Sequence, residues 1–128
     1  MAEKTKILII DDEEYICHLI KLFLEGTNRF EVLMSTTGQE GIELAKTNKP
    51  DLILLDILMP EMSGTAVVEC LSQEKSTKDI PIVFLTGVVT KQDVEASKGV
   101  IGGRRFIAKP VASDELIAAI ESVLQKGA

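Results

Sequence analysis

Acidic residues that directly follow apolar runs are the feature of this sequence best suited to chemistry. Asp11 and Asp12 come after the run Ile7–Ile10, and Asp56 ends the run that begins at Leu52. A charge at the end of a buried segment is costly unless it is paired, solvated or used. Like charges about 4 Å apart repel by roughly 4 kcal/mol at an effective dielectric constant of 20. If these three carboxylates meet, they require a cation.

Two further polar side chains follow later apolar runs. Thr86 comes after Ile82–Leu85, and Lys109 follows the weaker run Phe106–Ala108. Oxygen ligands without His or Cys favour a hard cation, and a few carboxylates with room for water suit Mg²⁺, or Mn²⁺ in its place. Asp56 could then act as a nucleophile toward phosphorus and form an aspartyl phosphate. The cation and Lys109 would offset charge on the transferring group.

The elements that would position these side chains alternate between strands and helices. Three apolar runs, at 7–10, 52–55 and 82–85, are continuous, which is typical of strands covered on both faces. Weaker strand candidates are Phe30–Met34 and Phe106–Ala108. The predicted helices are Glu14–Glu25, one that starts at the capping-box sequence TGQE (37–40), Gly64–Leu71, Lys91–Lys98 and one that Ser113 can cap.

This alternation predicts five β-α units in an α/β fold, a doubly wound parallel sheet with helices on both faces. We take its strand order to be the flavodoxin-like one, 2-1-3-4-5. Ligands bind beyond the carboxyl ends of such strands, at the switch point between strands one and three. We therefore expect Asp11, Asp12 and Asp56 to share one crevice, with Thr86 and Lys109 nearby.

Composition narrows the functional classes. The formal charge of −6 and the pI near 4.8 argue against a nucleic-acid partner. The sequence has no apolar run long enough to span a membrane and no signal peptide at its start, so we expect a cytoplasmic protein. Cys17 and Cys70 are expected to be buried free thiols in a reducing compartment. The 128 residues are expected to form one domain, 1–128, with no output domain in this chain.

Four stretches, taken together and in order, resemble the receiver domain of bacterial response regulators over nearly the whole chain. They are IIDDEE at 9–14, LLDILMPEMSG at 54–64, FLTG at 84–87 and FIAKP at 106–110. The resemblance implies a phosphorelay receiver that a histidine kinase or a histidine phosphotransfer protein phosphorylates. Phosphorylation would switch the face formed by the fourth and fifth helices and the fifth strand for binding of a partner protein. It also implies a non-enzyme, monomeric or weakly dimeric, that assists only its own phosphorylation and dephosphorylation.

The resemblance also assigns roles to residues at the acidic end of the sheet. Asp56 would be the phosphoacceptor. Asp12 would bind Mg²⁺ directly and Asp11 mainly through water, and the main-chain carbonyl of Leu58 would complete the protein ligands.

Further roles implied by the resemblance concern the switch. Thr86 would hydrogen-bond the phosphoryl group, and Lys109 would contact it as a cation. Phe106 would swing inward as Thr86 moves toward the phosphate. The Lys109–Pro110 peptide bond would be cis.

Structural alternatives exist for the same residues. Asp11 and Asp12 could cap the first helix, and Asp56 could be a solvated turn residue. Tyr15, His18 and Leu22 form either an ordinary exposed helix flank or a docking patch for the kinase.

Functional alternatives are open too. An aspartyl-phosphate phosphohydrolase would usually carry a second Asp where this chain has Leu58. A flavodoxin-like cofactor binder would carry Ser, Thr and Gly where this chain has DDEE at 11–14. A degenerate receiver used only for protein binding would not need Asp56, Thr86 and Lys109 intact. A receiver fragment of a hybrid histidine kinase or of a longer regulator is a further alternative.

The stretch KGVIGGRRF at 98–106 departs from the usual receiver pattern. Gly102 and Gly103 make the backbone permissive there. Arg104 and Arg105 are expected to form the solvent-facing start of a strand. They would alter the face formed by the fourth and fifth helices and the fifth strand, and not the phosphorylation chemistry.

Overall fold

A computed structural model describes residues 4–87, 100–101, 104–109 and 112–126 of the chain. The strands in this part of the chain are β1 Thr5–Ile10, β2 Phe30–Ser35, β3 Leu52–Asp56, β4 Ile82–Thr86, β5 Val100–Ile101 and β6 Arg104–Ala108. The described helices are α1 Glu14–Glu25, α2 Gly38–Asn48, α3 Gly64–Ser72 and α4 Ser113–Lys126. The predicted helix Lys91–Lys98 and the predicted cis bond before Pro110 lie outside the described residues.

The sheet has the order β2-β1-β3-β4-β6-β5, and every neighbouring pair except β5–β6 is parallel. With β6 as the fifth predicted strand, the predicted order 2-1-3-4-5 and the doubly wound fold are confirmed. Both faces of the central strands are covered. Odd-numbered positions of β1 such as Ile7 pack in a cluster with α1 and α4, and even-numbered ones such as Leu8 pack in a cluster with α2 and α3.

An extra strand at the sheet edge was not predicted. β5 pairs antiparallel with the start of β6, with Val100 opposite Arg105 and Ile101 opposite Arg104. Two residues are too few to show a hydrophobic period, so the pattern gave no signal for it. Its effect is to lengthen the predicted fifth strand, which starts at Arg104 and not at Phe106.

Two helix starts show how local sequence fixes the loops around the carboxyl edge. Thr37 caps α2, because its Oγ1 accepts the Glu40 N–H at 3.1 Å. The reciprocal half of the predicted capping box is wrong, because the Thr37 N–H donates to Ser35 Oγ at 3.3 Å. Ser63 caps α3 by accepting the Ala66 N–H at 3.2 Å. In the described part of the chain, no helix combines the length and apolarity that a membrane crossing needs.

Candidate functional site

The three predicted aspartates meet at the carboxyl edge of the sheet. β1 and β3 are parallel neighbours, and Ile10 lies opposite Leu55. The next residue in each strand direction, Asp11 after Ile10 and Asp56 after Leu55, therefore reaches the same edge of the sheet. One carboxylate oxygen from each of Asp11, Asp12 and Asp56 lies within 4.8 Å of the others. Asp11 and Asp56 are buried, with relative exposures of 0% and 4%. The expected convergence is therefore present in the structure.

Close packing of the chain after β3 fixes the backbone of Asp56. The Gly64 N–H donates to the Ile57 carbonyl at 2.7 Å and folds the loop back onto the strand end. A Cβ atom at Gly64 would lie 2.4 Å from the Asp56 carbonyl oxygen. A side chain at this position would push the loop away from the strand, which is why the fold needs glycine here.

Lys109 brings a positive charge into the acidic edge. Its backbone N–H donates to the Thr86 carbonyl at 2.8 Å, which fixes the end of β6 beside β4. Its side chain is 14% exposed, and Nζ lies 2.9 Å from Asp11 Oδ2 and 3.6 Å from Asp56 Oδ2. The predicted proximity of Lys109 to the aspartates is present.

Glu13 is a site residue that the sequence analysis missed. Lys109 Nζ donates to Glu13 Oε1 at 2.7 Å, its shortest contact with a carboxylate among the described residues. The available signal was the run DDEE, in which Glu13 directly follows the two aspartates. The direction of its side chain could not be read from that run.

Burial and like charge disturb the ionisation of Asp56. Desolvation, the charge of Asp11 and a hydrogen bond with Asp12 raise the pKa of its carboxyl, which lies at about 7 in the folded protein. The Lys109 charge and a backbone hydrogen bond from Leu58 act in the opposite direction. The pKa of Asp56 therefore stays above its ordinary value even beside the Lys109 ammonium.

The pKa of Lys109 is itself raised. Its burial alone would lower the pKa of the ammonium, but the hydrogen bond to Glu13, the close contact with Asp11 and the nearby carboxylate charges outweigh that effect. Lys109 therefore stays charged over the pH range in which Asp56 ionises.

The residues at this edge fit a hard divalent cation. Asp11 Oδ2 is buried and accepts no hydrogen bond of good geometry from the described residues, although Lys109 Nζ lies 2.9 Å away. The cluster Asp11, Asp12 and Asp56 offers oxygen atoms only, the ligands that Mg²⁺ and Mn²⁺ prefer. Asp11 also accepts the Glu13 N–H at 2.9 Å through Oδ1. The N-cap of α1 is Glu13, so neither aspartate occupies the capping position that the structural alternative gave it.

The remaining predicted residues lie around the cluster. Thr86 ends β4 and is 1% exposed, one residue beyond Leu85, which pairs with Asp56. Phe106 is half-buried on β6, and its ring stacks on Phe84 with the ring centroids 5.1 Å apart. Leu58 lies in the loop after β3 with its side chain 63% exposed.

The cysteines and His18 offer no ligand to the acidic cluster. Cys17 and Cys70 are free thiols, Cys17 buried and Cys70 only partly so. Desolvation raises the pKa of Cys17 to about 12, and its thiol donates to the Asp11 carbonyl at 3.3 Å, so it is a structural group. The side chain of His18 is 60% exposed, with Nε2 3.6 Å from Glu14 Oε1, as expected for a solvated histidine.

Comparison with known proteins places the whole site in context. The sequence model of the protein family "response regulator receiver domain" matches residues 7–121 of the chain. The chain is 34% identical over 124 residues to the alkaline phosphatase synthesis transcriptional regulatory protein PhoP of Bacillus subtilis, covering 94% of this chain and 49% of PhoP. It is 37% identical over 124 residues to the transcriptional regulatory protein SrrA of Staphylococcus aureus, covering 95% of this chain and 48% of SrrA. It thus spans about half the length of these relatives.

Solved structures show the same fold. The chemotaxis protein CheY4 of Vibrio cholerae superposes with a TM-score of 0.80 at 26% identity, covering 94% of this chain and 99% of CheY4. A response regulator from Desulfuromonas acetoxidans superposes with a TM-score of 0.78 at 28% identity, covering 94% of this chain and 97% of its own. PhoP and SrrA are both named as transcriptional regulatory proteins. The expectation that this protein has no nucleic-acid partner therefore stays a prediction.

Proposed function

The chain belongs to the receiver domains of two-component response regulators, and on that premise we propose that Asp56 accepts a phosphoryl group in a Mg²⁺-dependent reaction. The observation that supports this most is the convergence of three carboxylates within 4.8 Å beside the Lys109 ammonium. A histidine kinase or a histidine phosphotransfer protein would supply the phosphoryl group. The protein would be a signalling phosphoacceptor and not an enzyme with a separate substrate.

Each side chain at the edge has a task in this reaction. A carboxylate oxygen of Asp56 forms the new bond to phosphorus while the bond from phosphorus to the donor atom breaks, and the donor leaves with that electron pair. Asp11, Asp12, Asp56 and the Leu58 carbonyl would hold Mg²⁺, which when bound neutralises charge on the phosphoryl oxygens. Lys109 lies 3.6 Å from Asp56 Oδ2, where its ammonium can stabilise the same charge.

The switch would follow from the new charge. A phosphoryl group on Asp56 attracts hydrogen-bond donors, and the Thr86 hydroxyl is at the end of the neighbouring strand. Phe106, half-buried against Phe84, would change position as Thr86 moves. The surface around β6 and α4 would then present a different shape to a partner, which is what a population shift requires. The same chemistry would serve a receiver within a longer regulator or a hybrid kinase.

The proposal predicts that acetyl phosphate and Mg²⁺ add one phosphoryl group to the protein. Intact-mass spectrometry would measure the addition, and removal of Mg²⁺ with a chelator should abolish it. Acid-stable modification, or equal labelling without Mg²⁺, would contradict an aspartyl phosphate formed at this site.

The exposed flank of α1 yields a prediction about the kinase. Tyr15 and Leu22 are 74% and 71% exposed, the two most exposed large apolar residues described, and His18 lies between them. If this flank is the docking patch, Leu22→Glu should slow phosphotransfer from the cognate kinase about tenfold or more, since a buried charge at an interface is costly. Phosphorylation by acetyl phosphate should be unchanged.

A matched control for that experiment is Gln73→Glu, which adds the same charge at the exposed end of α3. Rates of radiolabel transfer would be measured for both variants with both donors. Equal slowing of Leu22→Glu with kinase and acetyl phosphate would show damage to the site and not to docking.

A further inference from the structure

We propose that Glu13 is a positioning residue that restrains Lys109 until a phosphoryl group on Asp56 displaces it. The inference rests on the proposed function, because it concerns the cation that would contact the phosphoryl group. It assigns a task to a carboxylate outside the three aspartates of the candidate metal site.

The contacts of Lys109 show which bond must change. An ammonium has three N–H donors. Nζ lies 2.7 Å from Glu13 Oε1 and 2.9 Å from Asp11 Oδ2, but 3.6 Å from Asp56 Oδ2, beyond hydrogen-bond distance. Two of the three donors are engaged in the short contacts, and Nζ must shift from its present position to bring the third within hydrogen-bond distance of Asp56. We take that shift to lengthen one of the two short contacts.

Solvent exposure decides that the contact with Glu13 is the one released. The Glu13 side chain is 56% exposed, so water can replace the ammonium there. The Asp11 side chain is 0% exposed, so water cannot take the place of the ammonium there. The pair between Lys109 and Glu13 is thus the cheaper one to break.

The start of α1 provides an independent observation. Glu13 occupies the N-cap position, but its carboxylate makes no capping hydrogen bond within the described chain. Ser, Thr, Asp and Asn are the preferred caps, and α2 and α3 use Thr37 and Ser63. At α1 the carboxylate instead reaches Lys109. The Glu13 carbonyl accepts the Cys17 N–H at 3.2 Å, which fixes the backbone from which the side chain extends.

The consequence concerns ligand binding. A phosphoryl mimic on Asp56 must compete with Glu13 for Lys109, so weakening the Glu13 contact should strengthen binding of the mimic. An exposed ion pair contributes little, and its removal should therefore tighten binding about three- to fivefold.

The test measures beryllofluoride binding by isothermal titration calorimetry at saturating Mg²⁺ in the full 128-residue chain. Glu13→Gln removes the charge, and Glu13→Asp keeps the charge but shortens the reach to Lys109. The matched control is Glu14→Gln, which removes the same charge one residue later, where the side chain is 77% exposed and lies 3.6 Å from His18. Circular dichroism would verify that each variant is folded.

We expect both Glu13 variants to bind beryllofluoride about three- to fivefold more tightly than wild type, and Glu14→Gln to bind within about twofold of it. Equally tighter beryllofluoride binding by Glu13→Gln and Glu14→Gln, with Glu13→Asp unchanged, would mean that the loss of a negative charge near the site explains the effect. That result would overturn the inference, because the contact with Lys109 would not be needed. Unchanged or weaker binding by both Glu13 variants would overturn it as well. Absence of binding in wild type would instead refute the proposed function itself.

Discussion

Asp56→Asn is expected to lose all phosphoryl incorporation and yet to unfold at a higher urea concentration than wild type at about pH 8 without Mg²⁺. The first effect follows because an amide is not a nucleophile toward phosphorus. The second follows because the pKa of Asp56 is raised to about 7, so folding opposes its ionisation. One pKa unit corresponds to about 1.4 kcal/mol, so the shift sets an upper bound of about 4 kcal/mol on the gain. Because the asparagine amide must also be buried, we expect a gain of about 2 kcal/mol in the free energy of unfolding.

The pH dependence of this gain has a definite sign. A carboxyl whose folded pKa exceeds its unfolded value binds more protons in the folded state, so stability falls as pH rises through that interval. For Asp56 the interval runs from the ordinary value of 3.8 to about 7. The advantage of Asp56→Asn should therefore be full above that interval and should vanish near its lower end.

Urea denaturation at about pH 8 and about pH 4, with and without Mg²⁺, measures this prediction. Asp79→Asn, at an exposed carboxylate outside the site, is the matched control and should change stability little. Mg²⁺ should stabilise wild type more than Asp56→Asn, since it compensates a charge that the variant lacks. A variant less stable than wild type at about pH 8 would show that Lys109 already balances the cluster.

The strands could be predicted because the apolar runs are short and regularly spaced, and their order because the flavodoxin-like order suits such an alternation. Leu52–Leu55 is buried throughout, and such a run in a β-α alternation leaves few topologies. The meeting of Asp11 and Asp56 then followed from parallel strands ending at one edge. This part of the site depends on backbone topology, which the hydrophobic pattern determines.

The remaining features depend on side-chain direction or on very short elements, which a pattern does not encode. β5 has two residues and no period. The contact between Glu13 and Lys109 joins residues 96 positions apart through two long side chains. The Thr37 N–H donates to the hydroxyl of Ser35, the last residue of β2, and not to Glu40. Each of these requires coordinates of neighbouring elements, not sequence spacing.

Lys109→Met is expected to destabilise the metal-free protein by about 3 kcal/mol at about pH 8. The substitution keeps an unbranched apolar stem but removes the cation 2.9 Å from the fully buried Asp11, and breaking one side of a buried ion pair costs about 3–5 kcal/mol. Urea denaturation would measure the loss, with Lys78→Met at an exposed lysine as the control.

Coupling to Asp56 makes the prediction specific to the acidic edge. In the double variant with Asp56→Asn, the loss caused by Lys109→Met should shrink by about 1 kcal/mol or more, since one of the opposed carboxylates is gone. Mg²⁺ should reduce the loss in the single variant for the same reason: a divalent cation can take over the charge compensation that Lys109 provides. Two results together would contradict this prediction: additive effects of the two substitutions on the free energy of unfolding, and a loss in Lys109→Met that Mg²⁺ does not reduce. They would mean that the acidic edge does not act as one electrostatic unit and that Lys109 stabilises the protein by packing alone.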